Sequence, residues 1–456
     1  MLNIGSSPAP TRKRGLYQNW LFLLMAIFTV GLALAFVGCG SDDEETDATE
    51  EALVLEEEII TVDGRDVVIL SGKLNADKTL SAAYDYLLRG AVFVEGGATL
   101  TIEPGVQIFG EQASNGTLII AQGAKIMADG TPDAPIVMSS DAAIGSRARG
   151  QWGGLIINGS APTNQGITFG EGDTGAFGGN NPADSSGVLR YVRVEYAGIE
   201  FSPDNELNGI AFQGVGSGTI VEHVQVHMNQ DDGVEMFGGT VNLKYVLVTG
   251  ARDDSFDWTD GWTGKGQFWV AQQYGDDADN GFEVDNSSKD NEATPRSAAT
   301  IYNVTLVGDP SGPESDNGML IREGAAGMYA NFIVTGFNKV GLDINNEATH
   351  AQADSGKLVV KNSIFFENGK GNFGDEKDDD GFDEADFAAS HGNKETDPGL
   401  VDPFNKATPN FTPGAGAKVV SPAPPPADGF FEPADFIGGV SPSNDWTTGW
   451  TTSAQK

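Results

Sequence analysis

The chain has 456 residues, 65 of them acidic against 27 basic, for a formal net charge of −38. That balance excludes nucleic acid as a partner and favours divalent cations, basic partners or a high-salt environment. A single cysteine excludes an intrachain disulfide framework, and 61 glycines suit many short strands joined by tight turns.

In chain order, the N-terminus reads as an address. Arg12-Lys13-Arg14 precede an apolar run from Trp20 to Val37 that ends at Gly38-Cys39-Gly40. A basic start, an apolar stretch and a small residue before the cleavage point make a secretory signal over residues 1–38. The alternative is a transmembrane helix, which needs a run of about 20 residues. The composition then stays acidic and apolar-poor to Glu58, apart from Leu53-Val54-Leu55, so residues 39–58 are expected to form a solvated tether.

From Ile59 the pattern changes to short strands punctuated by glycine. Ala91 to Ile108 holds three strand-sized pieces, and Leu118 to Ala128 with Pro135 to Met138 repeat the rhythm, as a coil of three strands does. Further on, one phrase returns: Asn208-Gly209-Ile210, Asp231-Asp232-Gly233-Val234-Glu235-Met236, Asp253-Asp254-Ser255-Phe256-Asp257-Trp258, Asp279-Asn280-Gly281-Phe282-Glu283-Val284, Asp316-Asn317-Gly318-Met319 and, more loosely, Val340-Gly341-Leu342-Asp343. A polar pair, a small residue, then apolar-acidic-apolar is a tight turn entering a strand. The small residues are separated by 24, 22, 26, 37 and 23 positions, a period that means stacked repeats. Each repeat is therefore one coil of a parallel β-helix, over residues 59–405.

A second register supports this. Leu189-Arg190-Tyr191-Val192, Val221-Glu222-His223-Val224, Leu243-Lys244-Tyr245-Val246, Ile301-Tyr302-Asn303-Val304 and Val359-Val360-Lys361-Asn362 read as one strand face in successive coils, with alternate residues toward the bore. Ala161–Ser186, the long step from Gly281 to Gly318, and the acidic stretch Asn368–Lys394 interrupt the stack and are expected to build a working face. Residues 406–456 combine a Pro-rich linker with aromatics from Phe430 to Trp450, and are expected to cover the open end of the solenoid.

The rhythm from about residue 85 to about 405 resembles the right-handed parallel β-helices of the pectate-lyase-like superfamily, which implies an all-β fold made of one such helix. Phe36-Val37-Gly38-Cys39-Gly40 resembles the lipobox of bacterial lipoproteins, and Ser41-Asp42-Asp43-Glu44-Glu45 resembles the surface-export signal of Bacteroidetes-type lipoproteins. The run from Asp253 to Val270 and the Trp446-Thr447-Thr448-Gly449-Trp450 ending resemble a group of β-helix lipoproteins of those bacteria. These resemblances imply a lipid on Cys39, anchorage in the outer membrane and display at the cell surface. They imply no reaction.

Stacking the phrase places Asp231, Asp253, Asp279 and Asp316 in one file and Glu235, Asp257, Glu283 and Asp343 in another. Neighbouring strands lie about 4.8 Å apart, where two unit charges repel by roughly 3 kcal/mol at an effective dielectric of 20. Water, raised pKa values or a bridging hard cation can relieve this, and calcium suits clustered carboxylates. Asp231, Asp232, Glu235, Asp253, Asp254, Asp257, Asp279 and Glu283 are the candidate ligands, although Asp and Asn also cap turns with no metal. Asp253-Asp254-Ser255-Phe256-Asp257 is similar to the Asp-Asp-Gly-Phe-Asp calcium motif of one β-helical pectate lyase group, which implies a Lys or Arg base. Lys265, Lys289, Arg252 and Arg322 are the nearby candidates, none in a matching motif. The Gly-His-Gly and Arg-Ile-Lys signatures of polygalacturonases are absent.

His223 and His227 could face outward as a metal pair, or simply belong to a surface strand. Trp262 and Trp269 are candidates to stack on sugar rings, while Trp258 should enter the bore. The expected function is a lipid-anchored, calcium-stabilised scaffold that binds an extracellular glycan or surface protein; the alternative is a calcium-dependent polysaccharide lyase.

Overall fold

The computed structural model describes residues 55–62, 64–202, 205–374 and 381–456. The proposed signal, Cys39 and nearly all of the acidic tether lie outside them, as do Asp375 to Asp380 of the acidic excursion. The strand Glu56–Val62 runs antiparallel to Arg65–Leu74. After it, every pairing of the main sheet is parallel, each strand bonding to its counterparts one coil before and one coil after. The chain therefore winds as a single parallel β-helix, the architecture the repeated phrase predicts.

The tether boundary at residue 58 is corrected by this strand, which begins at Glu56. Lys78 pairs with Glu57 at 2.6 Å and Arg89 with Glu58 at 3.5 Å, so cations on the first coils hold an acidic stretch in extended pairing.

The repeated phrase stacks in register. Val234, Phe256, Phe282, Met319 and Leu342 follow one another across the strands Val234–Phe237, Phe256–Thr259, Phe282–Val284, Met319–Ile321 and Val340–Ile344. All five side chains are fully buried in the bore. The small residue before each strand is needed for close approach: a Cβ on Gly233 would lie 2.4 Å from Val248 Cγ1 and 2.6 Å from the Ser255 carbonyl oxygen.

The second register also stacks, with two differences. Gly266 and Tyr329 belong to the same file, which runs from Leu189 through Val221, Leu243, Gly266, Ile301 and Tyr329 to Val360 rather than Val359. Alternation also breaks in the middle of each strand, because Tyr191, His223, Tyr245, Phe268, Asn303, Asn331 and Asn362 all take left-handed backbone, with φ between 48° and 66°. Each is a corner that turns the coil. Its side chain leaves the bore, and the following residue re-enters it. Asn is comfortable in this conformation, but aromatic rings there are held by strain offset elsewhere.

That offset comes from the C-terminal segment, which corrects the expected end cover. The segment folds back over one flank. Tyr191, His223, Tyr245 and Phe268 stack with ring centroids 4.4–4.9 Å apart, and Trp446 and Trp450 meet His223 edge-on. Side-chain amides grip the segment's backbone. Gln225 donates to the Thr452 carbonyl at 2.7 Å and accepts from its N–H at 2.8 Å, and Gln267 treats Glu432 in the same way, both at 2.8 Å. Asn331 does so with Ala423. Outward apolar residues such as Leu247, Val270 and Ile333 are buried beneath it. At the C-terminal end of the solenoid, short helices at Glu347–Asp354 and Glu384–Ser390 add Ala353 and Phe387 to the core instead.

Candidate metal site

Two parallel files form where the repeated phrase turns into its strand. In the turn, Asn208, Asp232, Asp254, Asn280 and Asn317 stand one above another, all buried. The last four form a ladder in which each side-chain oxygen accepts a backbone N–H from the next coil: Asp254 to Asp232 at 3.0 Å, Asn280 to Asp254 at 2.5 Å, Asn317 to Asn280 at 3.3 Å and Val340 to Asn317 at 3.4 Å, while the Asn208 amide donates to Glu235. One oxygen suffices for this task, and asparagine performs it in two of the four places, at Asn280 and Asn317. Asp232 and Asp254 each bring a second, charged oxygen that the ladder does not use.

On the strand itself, the outward side chains in register are Ala211, Glu235, Asp257, Glu283, Leu320 and Asp343. Glu235, Asp257 and Glu283 are thus contiguous, and Leu320 separates them from Asp343. Asp231, Asp253, Asp279 and Asp316 form a more exposed file on the other side of the ladder, with the Asp316 N–H donating to the Asp279 carbonyl at 2.7 Å.

All eight predicted ligands come together. Four overlapping triads have carboxylate oxygens within 4.8 Å of one another: Asp231–Asp232–Asp253, Asp232–Glu235–Asp257, Asp253–Asp254–Asp279 and Asp254–Asp257–Glu283. Oxygens on opposite sides of a calcium ion are separated by about twice a 2.3–2.6 Å bond, so each triad fits within one coordination sphere. Asp257 Oδ1 is enclosed and has no hydrogen-bond partner. Among the described residues no ion pair reaches Asp231, Asp232, Glu235, Asp254 or Asp257. Burial, reinforced by the neighbouring carboxylates, pushes Asp232, Glu235, Asp254 and Asp257 well above the usual carboxylate range, and raises Asp231 and Glu283 to about 7. The strip therefore gathers carboxylate oxygens at a spacing that suits a hard cation.

The candidate bases are placed differently. Arg322 stands beside the strand file and binds Glu283 and Asp285, the latter at 2.9 Å. Burial opposes its charge, but Asp285 and Glu283 hold the guanidinium protonated and move its pKa up, the wrong direction for a base. Arg252 pairs with Asp277 at the edge of the exposed file. Lys265 is drawn away to Asp428 of the C-terminal segment at 2.5 Å. Lys289 is exposed, and its charge bears on Asp260 rather than on the files.

The aromatic and histidine candidates are corrected. Trp262 and Trp269 are fully buried, their indole N–H groups donating to the Val241 and Leu243 carbonyls at 3.1 and 3.0 Å, so neither offers a face to a sugar. Trp258 lies in the bore as expected. His223 is sandwiched between Tyr191 and Tyr245, and His227 is buried between Thr249 Oγ1 and the Ala454 carbonyl, each at 2.7 Å, so they form neither a metal pair nor a surface strand.

The Ala161–Ser186 insertion does border the carboxylate face. Asn164 bonds the Asp260 and Asn286 backbones, Gly170 lies against Gln213, and Glu171 adds its charge to Asp231. The ladder asparagines and Asp285 were not singled out from the sequence. The signal was there, since Asn-Gly and Asp-Gly share one slot of the phrase.

A closed parallel coil with acidic side chains along one outward strip defines a parallel β-helix with a candidate metal-binding face. The chain belongs to the pectate-lyase-like β-helix family, whose description, a pectate-lyase like beta helix domain, matches residues 72–451. No curated protein and no solved structure matches it.

Proposed function

We propose that this chain is a calcium-stabilised β-helical scaffold, held at the outer surface of a bacterial outer membrane by a lipid on Cys39, that binds an extracellular glycan or surface protein without cleaving it. One observation carries the reading: overlapping carboxylate triads are concentrated on one strip whose Asp231, Asp232, Glu235, Asp254 and Asp257 are reached by no ion pair among the described residues, while three of the four candidate bases are committed to ion pairs and the fourth, Lys289, is exposed near Asp260. A cation there completes a structural strip, and the only candidate base beside the strand file, Arg322, is held protonated by Glu283 and Asp285. The anchor rests on the sequence around Cys39.

Thermal unfolding in chelator, in calcium, and in sodium chloride at matched ionic strength tests it. A ligand held only by the folded state raises stability with its concentration, so stabilisation specific to calcium is expected. Equal stabilisation by sodium chloride would replace the metal with a halotolerant surface.

Family membership and the position of Arg322 beside Glu283 favour a second reading, a calcium-dependent polysaccharide lyase. Incubation with acidic polysaccharides in calcium decides between them: unsaturated product that disappears in Arg322→Ala overturns the scaffold.

A further inference from the structure

The flank covered by the C-terminal segment does not end where that segment ends. The register position of Gln225 continues through Arg193 and Val137 to Gln107. The position of His227 continues through Glu195 and Ser139, whose side chains hydrogen-bond, to Phe109 and Leu87. The C-terminal segment reaches as far as Arg193, which holds the Trp450 carbonyl at 2.9 Å, and Tyr196, which contacts Ala454. The first coils beyond that point present the same outward surface, uncovered by any of the described residues.

That surface is shaped as a groove of about 480 Å³. Val67, Leu87 and Phe109 form its floor, Val62 and Ile144 its rims, and Arg147 closes the side toward Tyr196. Ile144 is 84% exposed, the largest value for a large apolar side chain among the described residues, and Val62 is 49% exposed. Outward apolar residues on the covered coils are explained by the chain laid over them; among the described residues nothing lies over these. The gripping device is repeated as well. Gln107 stands at the edge of the groove, two residues before Phe109 on the same face, and occupies the register position from which Gln225 brackets the Thr452 peptide group; its one side-chain hydrogen bond among the described residues is a 3.5 Å contact to the Gly105 carbonyl.

We propose that this N-terminal groove binds an extended, apolar peptide segment of a partner protein, laid along the solenoid as the C-terminal segment is and held by the Gln107 amide and the Leu87–Phe109 floor. The protein itself displays the chemistry: an irregular extended chain, apolar side chains downward, backbone bracketed by a side-chain amide. Charge does not select strongly, since Arg65 and Arg147 are balanced by Asp85 and Asp141 around the groove. Backbone capture plus apolar contact is therefore the recognition. This inference stands whether or not calcium occupies the carboxylate strip.

The test is selection of phage-displayed random linear peptides on the full chain, followed by fluorescence-anisotropy titration with the synthetic winners. The expected winners are apolar, and they lose about tenfold or more in affinity with Ile144→Glu and with Gln107→Ala. Ile220→Glu, an exposed position outside the groove, should leave binding unchanged. Circular dichroism of each variant checks that it is folded. Winners indifferent to both groove substitutions, or no enrichment at all, overturn the proposal. So does a dimer of the full chain that Ile144→Glu dissociates, or binding to phospholipid vesicles abolished by the same change, because each assigns the groove to another occupant.

Discussion

Replacing Asp254 with Asn removes one charge from the middle of the carboxylate strip and little else. Its Oδ1 accepts the Asn280 N–H, and an asparagine oxygen does the same work at the neighbouring positions 280 and 317. The charge sits within 4.8 Å of carboxylates in two triads, those of Asp253 with Asp279 and of Asp257 with Glu283. At that separation and an effective dielectric of 20, each fully ionised pair repels by about 3 kcal/mol. Burial keeps part of the strip protonated, so the gain realised in chelator should be about 1–3 kcal/mol in favour of Asp254→Asn. In calcium the order should reverse. At a hundredfold excess over Kd the wild-type chain gains about 2.7 kcal/mol, and a variant lacking a ligand from both inner triads should gain less than half of that. Denaturant unfolding followed by emission of the buried Trp258, Trp262 and Trp269 reads both conditions. A variant less stable than wild type in chelator would show that the charge is not repulsive where it stands, and an equal calcium response would remove Asp254 from any site.

Three further outcomes are expected. Burial lowers His227 to about 4, its Nε2–H donating to Ala454 and its Nδ1 accepting from Thr249. The unfolded chain therefore binds the proton first, and on the order of 3 kcal/mol of stability present above pH 6.5 is lost as pH falls toward 4; the difference between wild type and His227→Gln should shrink over that window, and a difference independent of pH would refute it. Gln267→Ala breaks both bonds to Glu432 and should cost about 1–3 kcal/mol, seen as faster protease release of the C-terminal segment with the solenoid left intact. Trp269→Ala opens the core and should cost about 3–5 kcal/mol; a loss of glycan binding at unchanged stability would return Trp269 to the surface.

The coil repeat was legible because local steric demands recur: a small residue wherever a turn approaches the next coil, an apolar residue wherever the strand enters the bore. The same repetition disclosed the Glu235, Asp257 and Glu283 file, since registered strands convert sequence period into spatial column. The flank was not legible. Tyr191, Tyr245 and Phe268 look like bore residues by alternation, and only the left-handed corner in each coil turns them outward. Leu247 and Val270 likewise face a segment some two hundred residues away in the chain, and nothing local marks that pairing. Trp262 and Trp269 misled for a related reason, because an aromatic beside an acidic turn has the composition of a sugar platform whichever way it points.

A solenoid whose coils touch only their neighbours can fray from an end one coil at a time. Here Arg193 is bonded to Trp450 across 257 positions of sequence, and the same segment also reaches Gln225, Gln267, Asn303, Asn331 and Asn362. No coil along that flank can open without breaking a bond to the segment that its distant neighbours share. Ladder-like stability thereby becomes collective, and removal of the segment should turn one steep unfolding transition into a broad succession of small ones.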